Sequence, residues 1–208
     1  MTRFVAWPGL RHLGYAARLS AAVSLLFLAV YAGADWFTGR RTTHLQLYLQ
    51  SELAIPFWPA AIVVYDSLYL LFLLAPFVLR TRASFRHLAV SAVAVILIAG
   101  CLFLLFPAEL GFVRAAVSGP FQPIFDASDR LNLDYNLVPS LHVALAAICL
   151  QAFWPSASGS VRAGLAMWGT ALALSTLFTH QHHLLDVGAG ALLAFVAFPV
   201  CGRFVHVS

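Results

Sequence analysis

Long apolar runs decide what this chain can fold into. A helix needs about 20 mostly apolar residues to cross the hydrocarbon core of a bilayer, and the sequence offers about six such stretches, near residues 16–35, 57–79, 86–106, 140–157, 162–180 and 183–202. Only 10% of the 208 residues are charged, well under the roughly 25% of a water-soluble domain. The expected fold is an all-α integral membrane protein, a single domain over residues 1–208 with about six transmembrane helices in one bundle. The spans use up most of the chain and leave no room for a separate soluble domain.

The formal charge of +4 raises the question of nucleic acid, but the twelve cations are all arginines scattered over helix ends and connecting loops. Topology explains them better, and no nucleic-acid partner is expected. With alternating helices, Arg3, Arg11, Arg18, Arg80, Arg82, Arg86, Arg162 and Arg203 fall on one side, and Arg40, Arg41, Arg114 and Arg130 on the other. The side richer in arginine should be cytoplasmic, which puts both termini in the cytoplasm, in a plasma or inner membrane. Asp35, Glu52, Glu109, Asp126, Asp129, Asp134 and Asp186 sit at or near the opposite, non-cytoplasmic face. Arg3 and Arg11, followed by an apolar run ending in Ala32, Gly33 and Ala34, imitate a signal peptide. A retained first helix is nevertheless expected, because cleavage would leave an odd number of spans and move one terminus across the membrane.

The connections carry further expectations. Residues 36–56 mix Arg40, Arg41, His44 and Glu52 with Leu45, Leu47, Tyr48 and Leu49, which suggests a short amphipathic helix along the interface. The longest connection, residues 107–139, joins the third and fourth helices on the non-cytoplasmic side, and a loop of that length is usually a lid or a site wall. Cys101, Cys149 and Cys201 lie inside spans and read as small apolar residues. Trp36, Tyr48, Phe57, Trp58 and Trp154 suit interface belts, and Gly164, Gly169, Gly188 and Gly190 suit close helix approach. Asp66, in the middle of the second span, needs a proton, a polar partner or a water-filled recess.

Two histidine clusters at span borders point to chemistry: His142 in VPSLHV, and His180, His182 and His183 in THQHHLLD. His182 and Asp186 are four apart, so on one helix the carboxylate can accept a ring N–H and leave the other nitrogen aimed outward as a nucleophile. His142 would supply a second imidazole to give and take a proton. Arg114 and the Ser140 hydroxyl are candidates to hold phosphate oxygens, aided by the N-terminus of the fourth helix. His183 either lines the pocket or faces the interface, and His12, His44, His87 and His206 read as interfacial polar residues.

NLVPSLHVALA followed by STLFTHQHHLLDVGAG resembles the type-2 phosphatidic acid phosphatase superfamily. That family's third motif reads Ser-Arg, five residues, His, three residues, Asp, and Ser175, Thr176, His182 and Asp186 stand in this register. Its second motif's serine and histidine match Ser140 and His142, and its first motif is represented only by Arg114. The resemblance implies a catalytic core over about residues 107–190, with His182 as nucleophile, His142 as acid and base, and Asp186 as the support of His182. It implies Arg114, Ser140, Ser175 and His180 as phosphate-binding residues, and neither metal nor other cofactor. With Thr176 in place of the family's arginine, the pattern looks more like the inositol phosphorylceramide synthase and sphingomyelin synthase branch. An arginine restored at that position is expected to be tolerated or even to raise hydrolysis.

Three readings remain open on the sequence. One is a lipid phosphate phosphatase acting at the non-cytoplasmic face through a phosphohistidine. Another is a phosphotransferase that moves a phosphate-bearing head group onto a lipid alcohol. The third is a non-enzymatic membrane protein that holds a metal or haem on its histidines. The expected partners of the first two are a lipid phosphate or phospholipid and the surrounding membrane lipids, while the oligomeric state stays open.

Overall fold

The computed structural model describes residues 4–113 and 116–205. Among these residues the secondary structure is helical apart from one isolated parallel bridge between Leu45 and Ala108. The α-helices are α1 (Leu10–Thr38), α2 (Ile62–Asp66), α3 (Leu68–Val78), α4 (Arg82–Leu105), α5 (Gln122–Leu131), α6 (Leu141–Phe153), α7 (Gly159–Phe178) and α8 (Leu184–Val205). Five segments are long and apolar enough to cross a membrane: Leu10–Thr38, Pro59–Val78, Arg82–Leu105, Gly159–Phe178 and Leu184–Val205. The sixth expected stretch forms a shorter apolar helix, Leu141–Ser156.

Local chemistry sets several boundaries. The Thr81 hydroxyl accepts the Ser84 N–H and starts α4, and the Ser140 hydroxyl accepts the Val143 N–H and starts α6. The second span is one apolar run interrupted at Ser67, whose N–H and hydroxyl both turn back onto the Val64 carbonyl. That turn divides α2 from α3.

Contacts between helix ends show that neighbouring spans alternate in direction. At one end, the Ala6 N–H bonds the Phe77 carbonyl, Arg86 bonds the Val205 carbonyl, and Arg162 bonds the Trp154 carbonyl. At the other, Arg41 bonds the Leu104 carbonyl, the Trp58 N–H bonds the Phe178 carbonyl, and the Ser140 N–H bonds the Asp186 carbonyl. This second end gathers the histidines of both sequence clusters.

The buried core centres on α4 and α6, where Val95, Ile96, Ala99, Phe103, Ala144, Ile148 and Phe153 are almost fully enclosed. Large apolar side chains such as Leu25, Leu73, Met167, Phe195 and Phe204 are instead exposed on the outside of the bundle. In water such a surface would aggregate, whereas in lipid it costs nothing. Trp36, Trp58 and Trp154 are exposed, as belt residues should be, but Tyr48 and Phe57 turn inward onto histidines.

Two expectations about the connections are revised. Residues 36–56 do not form an amphipathic helix; after α1 the chain runs extended and then makes a short 3-10 turn, Gln50–Ala54. Its polar groups find partners inside the protein. The Leu45 N–H bonds the Pro107 carbonyl, Gln46 bonds Glu109, and Glu52 is buried. The long 107–139 connection contains α5, which is fastened to the second span by Ser128 and Asn132. Asp66 therefore has a polar partner, since both its oxygens face the Ser128 hydroxyl at 2.6 and 2.7 Å.

Of the four glycines expected at helix contacts, two serve that purpose. A Cβ at Gly190 would overlap the Ser140 carbonyl oxygen and one at Gly169 would meet Leu150, while Gly164 and Gly188 face open space.

Candidate active site

The turn from α7 into α8 is built by backbone hydrogen bonds. The Gln181 N–H reaches back to the Thr176 carbonyl at 3.0 Å and the His180 N–H to the Leu177 carbonyl at 3.0 Å, the pairing of a Schellman cap. His180 takes the left-handed position with φ of 55°. The cap reverses the chain, and the Thr176 carbonyl also accepts the His182 N–H at 3.2 Å. The family's arginine position is thus occupied by Thr176, a fully buried residue whose hydroxyl donates to the Ala173 carbonyl. An arginine at this enclosed position would have to displace its neighbours.

His182 and Asp186 form the pair anticipated from their spacing. Nδ1–H of His182 donates to Asp186 Oδ2 at 3.3 Å, and the same oxygen accepts the His183 N–H at 2.8 Å. Asp186 is 1% exposed. Its backbone carbonyl accepts the Ser140 N–H at 2.9 Å, which binds the start of α8 to the start of α6. Nε2 of His182 has no hydrogen-bond partner among the described residues.

His142 lies in the first turn of α6, within electrostatic range of His182. A carbonyl oxygen can only accept, so Nε2 of His142 donates to the Tyr65 carbonyl, over 2.8 Å. The imidazole also stacks on the Tyr65 ring at 3.8 Å. Nδ1 is left as the nitrogen able to exchange a proton.

The remaining candidates divide. Ser140 is fully buried and its hydroxyl oxygen caps α6 over 3.3 Å, so it holds the helix that carries His142. Ser175 is not placed as a phosphate ligand, because its hydroxyl donates to the Leu172 carbonyl within α7. His180 donates Nε2–H to the Ile55 carbonyl at 2.9 Å and stacks on Phe112 at 3.9 Å. It borders a recess of about 100 Å³, walled by Phe57, Phe112, Phe125, Asp126 and Asp129, that does not include His182. Arg114 lies outside the described residues.

His183 is neither interfacial nor a pocket wall. It is 2% exposed and sandwiched between Tyr48 at 4.6 Å and Phe112 at 4.4 Å. Its Nδ1–H donates to Glu52 Oε2 at 3.3 Å, and its Nε2 accepts the Gly111 N–H at 3.3 Å. Only a neutral ring can do both. Burial pushes its pKa below the ordinary value, an effect that the charges of Asp186 and Glu52 only partly offset. Gly111 is required here, because any Cβ would run into the Tyr48 ring.

The sequence reading missed Glu52. It is 4% exposed, and its Oε2 also accepts the Leu184 N–H at 2.8 Å. Burial alone would raise its pKa, but the N–H groups of Leu184 and Leu49 together with the His183 ring outweigh that and hold it below the ordinary carboxylate value. An acid in a polar loop looks solvated in one dimension, so no signal in the sequence singled it out.

Other histidines are built in rather than interfacial. His12 is buried edge-on to Phe85, and His87 donates to the Phe198 carbonyl. His44 stacks on Tyr135 and bonds the Thr38 carbonyl, while His206 lies outside the described residues. Among the described residues, no three His, Cys, Asp or Glu side chains are grouped as a metal ion would require.

Two helix N-termini meet at this site with different occupants. The α8 terminus is filled by carboxylates, since Asp186 takes the His183 N–H and Glu52 takes the Leu184 N–H. At α6 the Ser140 hydroxyl takes only the Val143 N–H, so the preceding N–H groups of that turn have no intrahelical acceptor. The profile of the PAP2 superfamily matches residues 34–200, from the end of α1 through most of α8. No curated protein and no solved structure matches the chain. With that profile covering most of its length, the chain belongs to the PAP2 superfamily.

Proposed function

We propose that this protein is a lipid phosphate phosphatase that works through a phosphohistidine on His182 at the non-cytoplasmic face, with both termini in the cytoplasm. The reading is carried by one observation: Asp186 holds Nδ1 of His182, leaving Nε2 without a hydrogen-bond partner among the described residues and within electrostatic range of His142. In the first step the Nε2 lone pair attacks phosphorus, the bond from phosphorus to the lipid oxygen breaks, and that oxygen takes the proton from Nδ1 of His142. In the second step His142 accepts a proton from water as the water oxygen attacks phosphorus. The phosphorus–nitrogen bond then breaks and its electron pair returns to His182. Asp186 balances the positive charge on His182 in the intermediate, and the N-terminus of α6 offers N–H groups to the phosphoryl oxygens.

The length of α6 favours a recessed site. Its 13 residues span about 20 Å, short of the roughly 30 Å hydrocarbon core. With its C-terminal end at the arginine-rich border, its N-terminus lies beneath the opposite border, within reach of a phosphate carried by a lipid still in its leaflet. Concentration of arginine at the other end, at Arg11, Arg80, Arg82, Arg86, Arg162 and Arg203, supports the orientation.

A lipid alcohol in place of water would make the same machinery a transferase. The deciding experiment incubates the purified protein with a panel of phospholipids and lipid phosphates, with and without a lipid alcohol, and follows free phosphate and new lipid species. Free phosphate is the expected product. A new phosphorylated lipid in its place would overturn hydrolysis in favour of transfer, and no product of either kind would overturn the reading.

A further inference from the structure

We propose that the break between α2 and α3 is a positioning device, in which Tyr65 fixes the nitrogen that His142 uses to move a proton. The inference rests on the reading of His142 as acid and base, and goes beyond it by naming what holds that imidazole. Ser67 ends α2 and turns its N–H back toward the Val64 and Tyr65 carbonyls, so Tyr65 sits in a last helical turn where the regular ladder to the N–H four residues on stops. In an unbroken span that carbonyl is committed to the N–H four residues on. Here it accepts Nε2–H of His142 at 2.8 Å.

Tyr65 holds the imidazole in a second way, through its ring, which lies 3.8 Å away and 21° from parallel. The two contacts are complementary. The carbonyl fixes rotation within the imidazole plane, and the stack fixes the plane. Tyr65 is itself anchored, 4% exposed, with its hydroxyl donating to Asn132 Oδ1 at 3.0 Å just after α5. The adjacent Asp66 takes the Ser128 hydroxyl from within α5 on both oxygens. These two attachments hold α5 against the break.

The chemical consequence is a fixed tautomer. Nε2 carries a proton whether His142 is neutral or charged, so the proton given to the leaving oxygen comes from Nδ1. A polar break inside a span is tolerated only where other protein groups satisfy it, and His142 is one of those groups. Structure and function therefore share a single hydrogen bond.

The test uses leaving-group demand. A lipid alkoxide is a poor leaving group that needs a proton, whereas a nitrophenol leaves almost unaided, so only the first depends on His142 as an acid. Tyr65→Leu removes the stacking face, and the first step, read as the single-turnover rate of phosphoenzyme formation, should slow roughly 10- to 100-fold with an alkyl phosphate but less than about threefold with an alkylated p-nitrophenyl phosphate. The ratio is taken within one preparation, so a reduced folded fraction cancels, and Tyr65→Met serves if Tyr65→Leu does not fold. Tyr65→Phe keeps ring and carbonyl and should rescue most of the alkyl turnover. On a His142→Ala background, Tyr65→Leu should add nothing.

Equal losses on both substrates, or a full further loss on the His142→Ala background, would overturn the positioning role. Undiminished turnover in His182→Ala would instead overturn the phosphohistidine reading, so the two failures are distinguishable.

Discussion

Glu52 and His183, 131 positions apart in the chain, meet as a buried pair in which Nδ1–H donates to Oε2 over 3.3 Å. Through this pair the loop after α1 is fastened to the start of α8, one residue from the candidate nucleophile. The Gly111 N–H on the other ring nitrogen brings in the loop after α4 as well. His183 thus joins three segments that the sequence separates widely.

Removal of Glu52 should therefore be costly. Glu52→Ala leaves the N–H groups of Leu49 and Leu184 and the His183 ring without their acceptor, and each buried donor left unsatisfied costs about 1–3 kcal/mol. Thermal unfolding in detergent should show a large drop in midpoint. A midpoint unchanged from that of the wild type would show that the pair holds nothing together.

Acid should have a related effect. Burial depresses His183 below its ordinary 6.5, and the hydrogen bonds to Glu52 depress that carboxyl below its ordinary 4.5. In both cases the unfolded chain binds protons more readily than the folded one, so stability rises with pH. The contribution is fully present above 6.5 for His183 and above 4.5 for Glu52, and it is lost as pH falls through the lower folded values. Unfolding midpoints should be level near pH 7.5 and decline in two stages below about 6.5, the first removed in His183→Gln. A flat profile down to pH 4 would contradict the assignment.

The all-α membrane bundle and the His182–Asp186 contact were legible because each rests on a local pattern, run length in one case and a spacing of four on one helix in the other. Glu52, Tyr65 and the ring stack around His183 were not, because their roles arise from contacts between segments more than 60 positions apart. Backbone acceptors are a further blind spot. Nothing in the residue types of Tyr65 or Ile55 announces that their carbonyls hold His142 and His180. Motif register likewise shows that Ser175 is present but not that its hydroxyl bonds a carbonyl of its own helix.

His182→Ala should lower phosphate release by at least about 10³-fold, and Asp186→Asn by roughly 10²- to 10⁴-fold because the imidazole loses the charge that orients it and supports its positive form. The discriminating measurement is acid-labile, base-stable labelling after brief exposure to ³²P-labelled substrate. The label should be absent from His182→Ala and should persist in His142→Ala, where a substrate with a good leaving group still phosphorylates the enzyme. Label retained in His182→Ala would move the nucleophile elsewhere.

Thr176→Arg tests how the chain departs from its family. The position is wholly enclosed, and its carbonyl receives the Gln181 and His182 N–H groups that shape the turn. Forcing a guanidinium into that space adds volume and a buried charge without a carboxylate facing it among the described residues, each sufficient to cost several kcal/mol. The variant should accumulate poorly and show no turnover. Wild-type yield and activity would mean that this turn can open to admit the cation.

The contact between α6 and α8 offers a matched pair of variants. Gly190 passes so close to the Ser140 carbonyl that an added methyl overlaps it, whereas Gly188, two residues earlier on the same helix, faces open space. Overpacking of this kind costs about 1–3 kcal/mol, so Gly190→Ala should lower the unfolding midpoint. It should also slow turnover, because the relief available is to push the start of α6, with His142, away from the start of α8, with Asp186. Gly188→Ala should keep activity and gain slightly in midpoint, since alanine favours a helix over glycine by roughly 1 kcal/mol. The prediction lies in the contrast: equal behaviour of the two variants would show that the α6–α8 approach does not set the geometry between the two imidazoles.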